Sequence, residues 1–125
     1  MVGTPNAVLL LRRDATVVRC NAWTWGLEGL CASADVLVSA VGKPGLIRAE
    51  MVKPGAVVVD VGTSRVTDEA GKTRTVGDVD FEGVCGVAGW VSPVPGGVGP
   101  MTVAALLSNV VSAAEQRLGL GEPVI

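Results

Sequence analysis

The chain has no histidine and no tyrosine. The first absence removes Ser-His-Asp triads, Cys-His nucleophiles and imidazole-ligated metals together, because each needs a group that titrates near neutrality or offers a ring nitrogen. Aromatic residues amount to only 3%, so a core has to be assembled mainly from Val, Ala and Leu. The three cysteines, Cys20, Cys31 and Cys85, are odd in number and have no CxxC spacing. They read as free thiols of a reducing compartment, not as disulfides or a zinc site. With a net charge of -2 and no dense run of Lys or Arg, the chain carries no footprint for a polyanion, and no nucleic-acid partner is expected. No apolar run approaches about 18 residues, so no membrane span is expected. The run in "NAVLLLRRD" is too short, with its charges on the wrong side, for a secretory signal. These absences point to a cytoplasmic protein.

What is present suits one α/β domain. At 125 residues the chain can bury a real core but is short for two domains. Helical patterns are expected at 5–13, where Pro5 is admitted in a first turn, and at 25–33, 47–52 and 101–118. Short apolar runs at 15–20, 35–42, 56–62 and 89–92 read as strands. The polar run 63–75 reads as an exposed hairpin or loop, and "VGDVDFEGV" as a short turn or helix. Strands of continuous Val, Leu and Ala are expected to be buried on both faces, as in parallel sheets. The alternation of strands and helices then predicts a Rossmann-type, doubly wound parallel sheet. Ligands of such sheets sit beyond the carboxyl ends of the strands. Two of those ends, "AVGKPG" and "DVGTS", carry glycine, which fits either close approach of a ligand or a tight turn.

The segment "VSPVPGGVGPMT" concentrates proline and glycine just before an apolar helix. Pro93 and Pro95 fix φ, so residues 92–95 are expected to be extended and stiff. Gly96 and Gly97 leave bare amides, and Gly99-Pro100 is expected to open the helix with proline at its first position. A helix N-terminus suits an anionic or carbonyl-bearing group, although an ordinary strand-to-helix connector explains the same composition.

The longer run "SPVPGGVGPMTVAALL" closely resembles the C-terminal signature of the bifunctional methylenetetrahydrofolate dehydrogenase/methenyltetrahydrofolate cyclohydrolase family. "ADVLVSAVGKPGLIRAEMVKPGAVVVDVG", "VGDVDFEGV" and the initial "VGTP" agree in order and spacing, so the resemblance covers nearly the whole chain. It implies that residues 1–125 are a partial nucleotide-binding domain, with NADP or NAD as cofactor. The enzyme implied oxidises 5,10-methylenetetrahydrofolate to the methenyl compound and hydrolyses that to 10-formyltetrahydrofolate. A tetrahydrofolate substrate and a homodimer are implied as partners. Carried over by motif, Gly3, Ala22, Trp23, Val41, Gly42, Gly62 and Thr63 are the cofactor-binding candidates. Pro93, Pro95, Gly96, Gly97 and Gly99 are the candidates for the substrate pocket.

The chain departs from the family pattern in two places. The usual first strand and its Gly-Arg-Ser turn are absent, which leaves two ladder edges unpaired. The family's catalytic lysine and tyrosine belong to a segment outside this sequence, so no catalytic residue is assigned and the chain alone is expected to be inactive. Ala22 and Trp23 stand where the family places Ser and Arg against the 2'-phosphate of NADP, which weakens the case for NADP over NAD. Trp23 and Trp25 fit stacking on adenine or cover for a sheet edge. Asp78 and Asp80 fit paired metal carboxylates, or a turn and a helix N-cap, and no metal is assigned. Lys43 reads as a catalytic mimic or an exposed loop charge, Lys53 as a solvated side chain, and Arg12-Arg13 as the favourable end of a helix. A non-catalytic module for nucleotide binding or subunit pairing is the alternative reading.

Overall fold

The computed structural model describes residues 2–120. Helix α1 spans Gly3–Leu11 and α2 Leu27–Ser33. Strand β1, Val36–Ser39, is followed by a single 3₁₀ turn, Ala49–Met51, and by β2, Val57–Asp60. The hairpin β3 (Ser64–Thr67) and β4 (Thr73–Val76) leads to α3, Phe81–Cys85, then to β5, Trp90–Val91, and α4, Val98–Arg117. β1, β2 and β5 form a parallel sheet in that order, with Val36 beside Val57 and Val57 beside Trp90. The polar run folds as a separate antiparallel hairpin, Ser64 facing Val76.

This register sorts the sheet into two unlike faces, because successive side chains alternate. Leu37, Ser39, Val58, Asp60 and Val91 point to one side, where Val58 is 1% exposed. There α2 contributes Cys31, the 3₁₀ turn Met51 and α3 Val84, which with Ile47, Val52, Ala56 and Val79 make the core. Val36, Val38 and Trp90 on the opposite side are exposed. The expectation of burial on both faces therefore fails: among the described residues nothing covers the second face. Neither α1 nor α4 has a buried residue.

Three further expectations are corrected. Residues 15–20 are not a strand; β-branched residues favour extended backbone, but a strand needs a ladder neighbour, and no described residue pairs with them. Residues 47–52 are not a helix. Ile47 instead bridges Val79 in parallel, and only Ala49–Met51 coils, stopped before Lys53-Pro54-Gly55. Helix α4 is 20 residues long with a mean hydropathy of 1.2 over its most apolar window, long and apolar enough by length and composition to cross a membrane. No uninterrupted apolar run of that length marks it in the sequence, because Ser108, Asn109 and Ser112 interrupt the run without lowering its average much.

Candidate functional site

Beyond the carboxyl ends of β2 and β5 lies a cleft of about 420 Å³, within the size range of small-molecule sites. Gly62 and Thr63, which follow β2, form one side, Thr75 of β4 adds an edge, and residues 93–100 form the other wall. The sequence candidates Gly62, Thr63, Pro93, Pro95, Gly96, Gly97 and Gly99 thus come together in one place. A larger cavity of about 550 Å³ lies between α2 and residues 43–48. Its Arg48 guanidinium is already paired with Glu50 at 2.7 Å and Glu28 at 3.5 Å. The smaller cleft is the better candidate, because it sits where parallel sheets bind ligands.

The proline-glycine wall differs from the extended segment expected. Strand β5 ends at Val91, residues 94–96 turn, and the Val94–Pro95 peptide is cis. The glycines are required by the turn itself: Gly96 has φ +101°, and a Cβ on Gly97 would overlap the carbonyl oxygen of Pro93. Helix α4 begins at Val98, so Pro100 is its third residue. Proline is harmless there, since the first-turn N–H groups have no intrahelical partner.

Val41 and Gly42 do not line the cleft, but Gly42 adjoins it by accepting a hydrogen bond from Ser64 Oγ through its carbonyl, at 3.3 Å. Gly3, Ala22 and Trp23 also lie outside the lining. Gly3 opens α1, and Ala22 and Trp23 sit on a self-bonded turn. In that turn the Asn21 N–H donates to Thr24 Oγ1 at 2.8 Å, and the Trp23 N–H donates to Asn21 Oδ1 at 2.9 Å. Trp23 and Trp25 are 87% and 94% exposed, so neither covers a sheet edge.

Two buried carboxylates, Asp60 in the lining of the cleft and Asp78 behind Gly62, have a joint role that local sequence reading did not reach. Asp78 accepts from Ser39 Oγ at 2.9 Å and from the backbone N–H groups of Val41, Gly42 and Lys43 at 2.7, 3.2 and 2.8 Å. With Gly42 at φ +78°, these consecutive amides form a concave nest for an anion, and Asp78 fills it. Asp60 accepts from the N–H groups of Gly62, Asp78 and Val79 at 2.9, 3.0 and 3.0 Å. The Asp60 N–H in turn donates to Ser92 Oγ at 2.8 Å. The backbone is bare where these acids pass: a Cβ on Gly62 would overlap the Asp78 carboxylate, and one on Gly77 the Asp60 carboxylate. The available signal was, for Asp60, an acid closing a buried apolar run, as in "AVVVD"; nothing local marks Asp78.

Of the two roles open to Asp78 and Asp80, Asp80 takes the N-cap of α3, accepting from the Gly83 N–H at 3.4 Å. The Asp78 carboxylate instead fills the amide nest, and no group of three metal-binding side chains occurs among the described residues. Lys53 is not merely solvated: its ammonium meets Asp35 at 2.6 Å, and that hydrogen bond and charge hold the Asp35 carboxyl below its ordinary range. Burial pushes the Cys31 thiol up, and nearby Cys20 adds to the shift, as befits an inert thiol.

Residues 1–118 match the family described as "Tetrahydrofolate dehydrogenase/cyclohydrolase, NAD(P)-binding domain". Among curated relatives, the bifunctional protein FolD of Azorhizobium caulinodans is 54% identical over 120 residues, covering 96% of this chain and 41% of that protein. FolD of Caldicellulosiruptor saccharolyticus is 55% identical over 120 residues, 96% of this chain and 42% of the relative. Among solved structures, FolD of Campylobacter jejuni superposes with a TM-score of 0.85 at 48% identity, over 93% of this chain and 40% of that one. FolD of Trypanosoma brucei, solved with NADP cofactor and inhibitor, has the same TM-score at 42% identity and the same coverage. The chain thus spans about 40% of the length of the relatives it matches. On this parallel sheet, cleft and match, the chain belongs to the tetrahydrofolate dehydrogenase/cyclohydrolase family and spans its NAD(P)-binding domain.

Proposed function

We propose that the chain, as one partial nucleotide-binding domain, holds the nicotinamide end of NADP or NAD in the cleft between residues 62–63 and 93–99. There it serves as the nucleotide-binding half of an enzyme that oxidises 5,10-methylenetetrahydrofolate and hydrolyses the methenyl product. The observation that carries this reading is that Gly62 and Thr63 of the cofactor candidates line one cleft at the strand ends together with all five substrate-pocket candidates. Bare backbone at Gly96 and the apolar Pro93–Pro95 edge suit a flat heteroaromatic ring. When bound, the dinucleotide supplies the hydride acceptor; the chain supplies a wall that orients the ring and excludes water. The self-bonded turn that carries Ala22 and Trp23 offers no cation for a 2'-phosphate.

Gly3, Ala22, Trp23, Val41 and Gly42 remain candidates for the rest of the dinucleotide, and the exposed Trp23 is proposed to stack on adenine. The open sheet face and the exposed apolar surfaces of α1 and α4 support pairing with protein, as in a homodimer. A cytoplasmic location, with no nucleic-acid or membrane partner, fits the composition. Titration calorimetry with NADP and NAD tests the reading: one of them binds, and NADP is not preferred. No heat with either overturns the cleft assignment, and at least tenfold tighter NADP binding overturns the role given to Ala22 and Trp23.

A further inference from the structure

The geometry points to Asp78 as a positioning residue that sets the loop at 41–43 from beneath and, with Asp60, ties the end of β1 to the ends of β2 and β5 that flank the cleft. The functional consequence rests on the dinucleotide reading above. Glycine at a strand end suggests amides free to meet a phosphate, but here those amides are occupied. The N–H groups of Val41, Gly42 and Lys43 all point at the Asp78 carboxylate. A ligand over this loop therefore meets its Cα surface and side chains, and the internal carboxylate stands where an external anion would otherwise bind.

Asp78 can set the loop because it is itself held on both sides. Its N–H donates to Asp60 Oδ1 at 3.0 Å, and its carbonyl accepts from the Ile47 N–H at 3.1 Å. The carboxylate then projects from a clamped backbone, with Asp78 0% exposed. Asp60 closes the set: it orients Gly62 on one wall of the cleft through its carboxylate, and meets Ser92, ahead of the other wall, through its own N–H. Ser39 and Ser92 complete the arrangement from β1 and the end of β5. A carboxylate that bonds a sequential run of amides fixes their directions more tightly than solvent can, because each such bond is charge-assisted.

The test compares Asp78→Ala and Asp78→Asn with Val84→Ala, a cavity-forming change in the core away from the cleft. Amide hydrogen exchange by mass spectrometry and calorimetric binding of NAD and NADP are measured on the whole chain. In both Asp78 variants, exchange should accelerate selectively in peptides covering 41–43, by about a hundredfold for Ala and less for Asn, which keeps one acceptor oxygen. Dinucleotide affinity should fall by at least about tenfold for Ala. Val84→Ala should raise exchange across the core while leaving the affinity of the folded chain unchanged. If Asp78→Ala does not fold, the Asn variant alone decides, since its loss falls on the donors of 41–43. Exchange at 41–43 that rises only in step with the rest of the core overturns the proposal, as does unchanged affinity with a loosened loop. If the unmodified chain binds neither dinucleotide, the binding assignment falls, and the exchange pattern still decides whether Asp78 sets the loop.

Discussion

The segment from α2 to the start of α4 and the two helices α1 and α4 are both rich in apolar residues but meet opposite fates. The first contains the whole described core, from Cys31 to Val84, and both buried carboxylates. The second carries Val8, Leu9, Leu10 and Leu11, and Met101, Leu106, Leu107 and Val110, all of them exposed. Apolar side chains gain about 25 cal/mol per Å² only when something removes them from water. The comparison shows that patterning nominates a core, whereas topology elects it. One face of the sheet finds α2 and α3 within the described residues, and the other finds nothing.

The largest expected difference between the two regions is in chemistry. The core-bearing segment, with the first turn of α4, shapes a cleft, yet no lysine lines it and the chain has no histidine or tyrosine. Positioning of both reactants contributes roughly 7–11 kcal/mol, and a placed acid or base roughly 10²–10⁴-fold in rate. With methylenetetrahydrofolate and either cofactor, the purified chain should show no turnover by absorbance of reduced cofactor or methenyl product. Turnover within about a hundredfold of a full-length relative would reveal a proton-transfer group in this half, and the account of the cleft would have to change.

A middle-sized effect separates the regions by stability. Gly77→Ala drives a methyl into the Asp60 carboxylate and threatens three buried hydrogen bonds, so it should cost at least about 3 kcal/mol in urea unfolding. Leu107→Ser on α4 should cost almost nothing in the same titration, because Leu107 is already in water. It should instead reduce self-association, which the exposed helices and the unpaired edge of β1 favour. Light scattering that shows a monomer before the substitution would break this half of the comparison.

The smallest effect belongs to the rim. Asp35 titrates lower folded than unfolded because of Lys53. Its contribution is therefore present above the unfolded value near pH 4 and is lost as the pH falls through the folded value. Lys53→Met should lower the melting temperature slightly at neutral pH and leave it unchanged well below pH 3. A loss of equal size at both pH values would show that Lys53 acts through its methylene stem instead.

Much of the core-bearing segment was legible in the sequence because its signals are local. The apolar runs ending in Gly42 and Gly62 gave β1 and β2, the polar run gave the hairpin, and the resemblance brought both walls of the cleft together. Residues 15–20 and 47–52 were misread for one reason: β-branching and helical spacing describe what a segment tolerates, not which neighbour it has. Ile47 leaves its helical pattern for a bridge to Val79, 32 residues on. The carboxylate bracket was illegible on the same ground, since Asp60 and Asp78 acquire meaning only when strand ends far apart in sequence are laid side by side.

For anyone recombining this domain with a relative's, the anion nest under the first loop has a practical meaning. Residues 39–43, 60–62, 77–79 and Ser92 form one inheritable block, because each piece supplies a donor, an acceptor or the bare backbone that another requires. A crossover that takes "SAVGK" from one parent and "VGDV" from another succeeds only if both parents share the carboxylate and the glycines, so viable junctions should fall before residue 39 or after Ser92 and not between these short motifs.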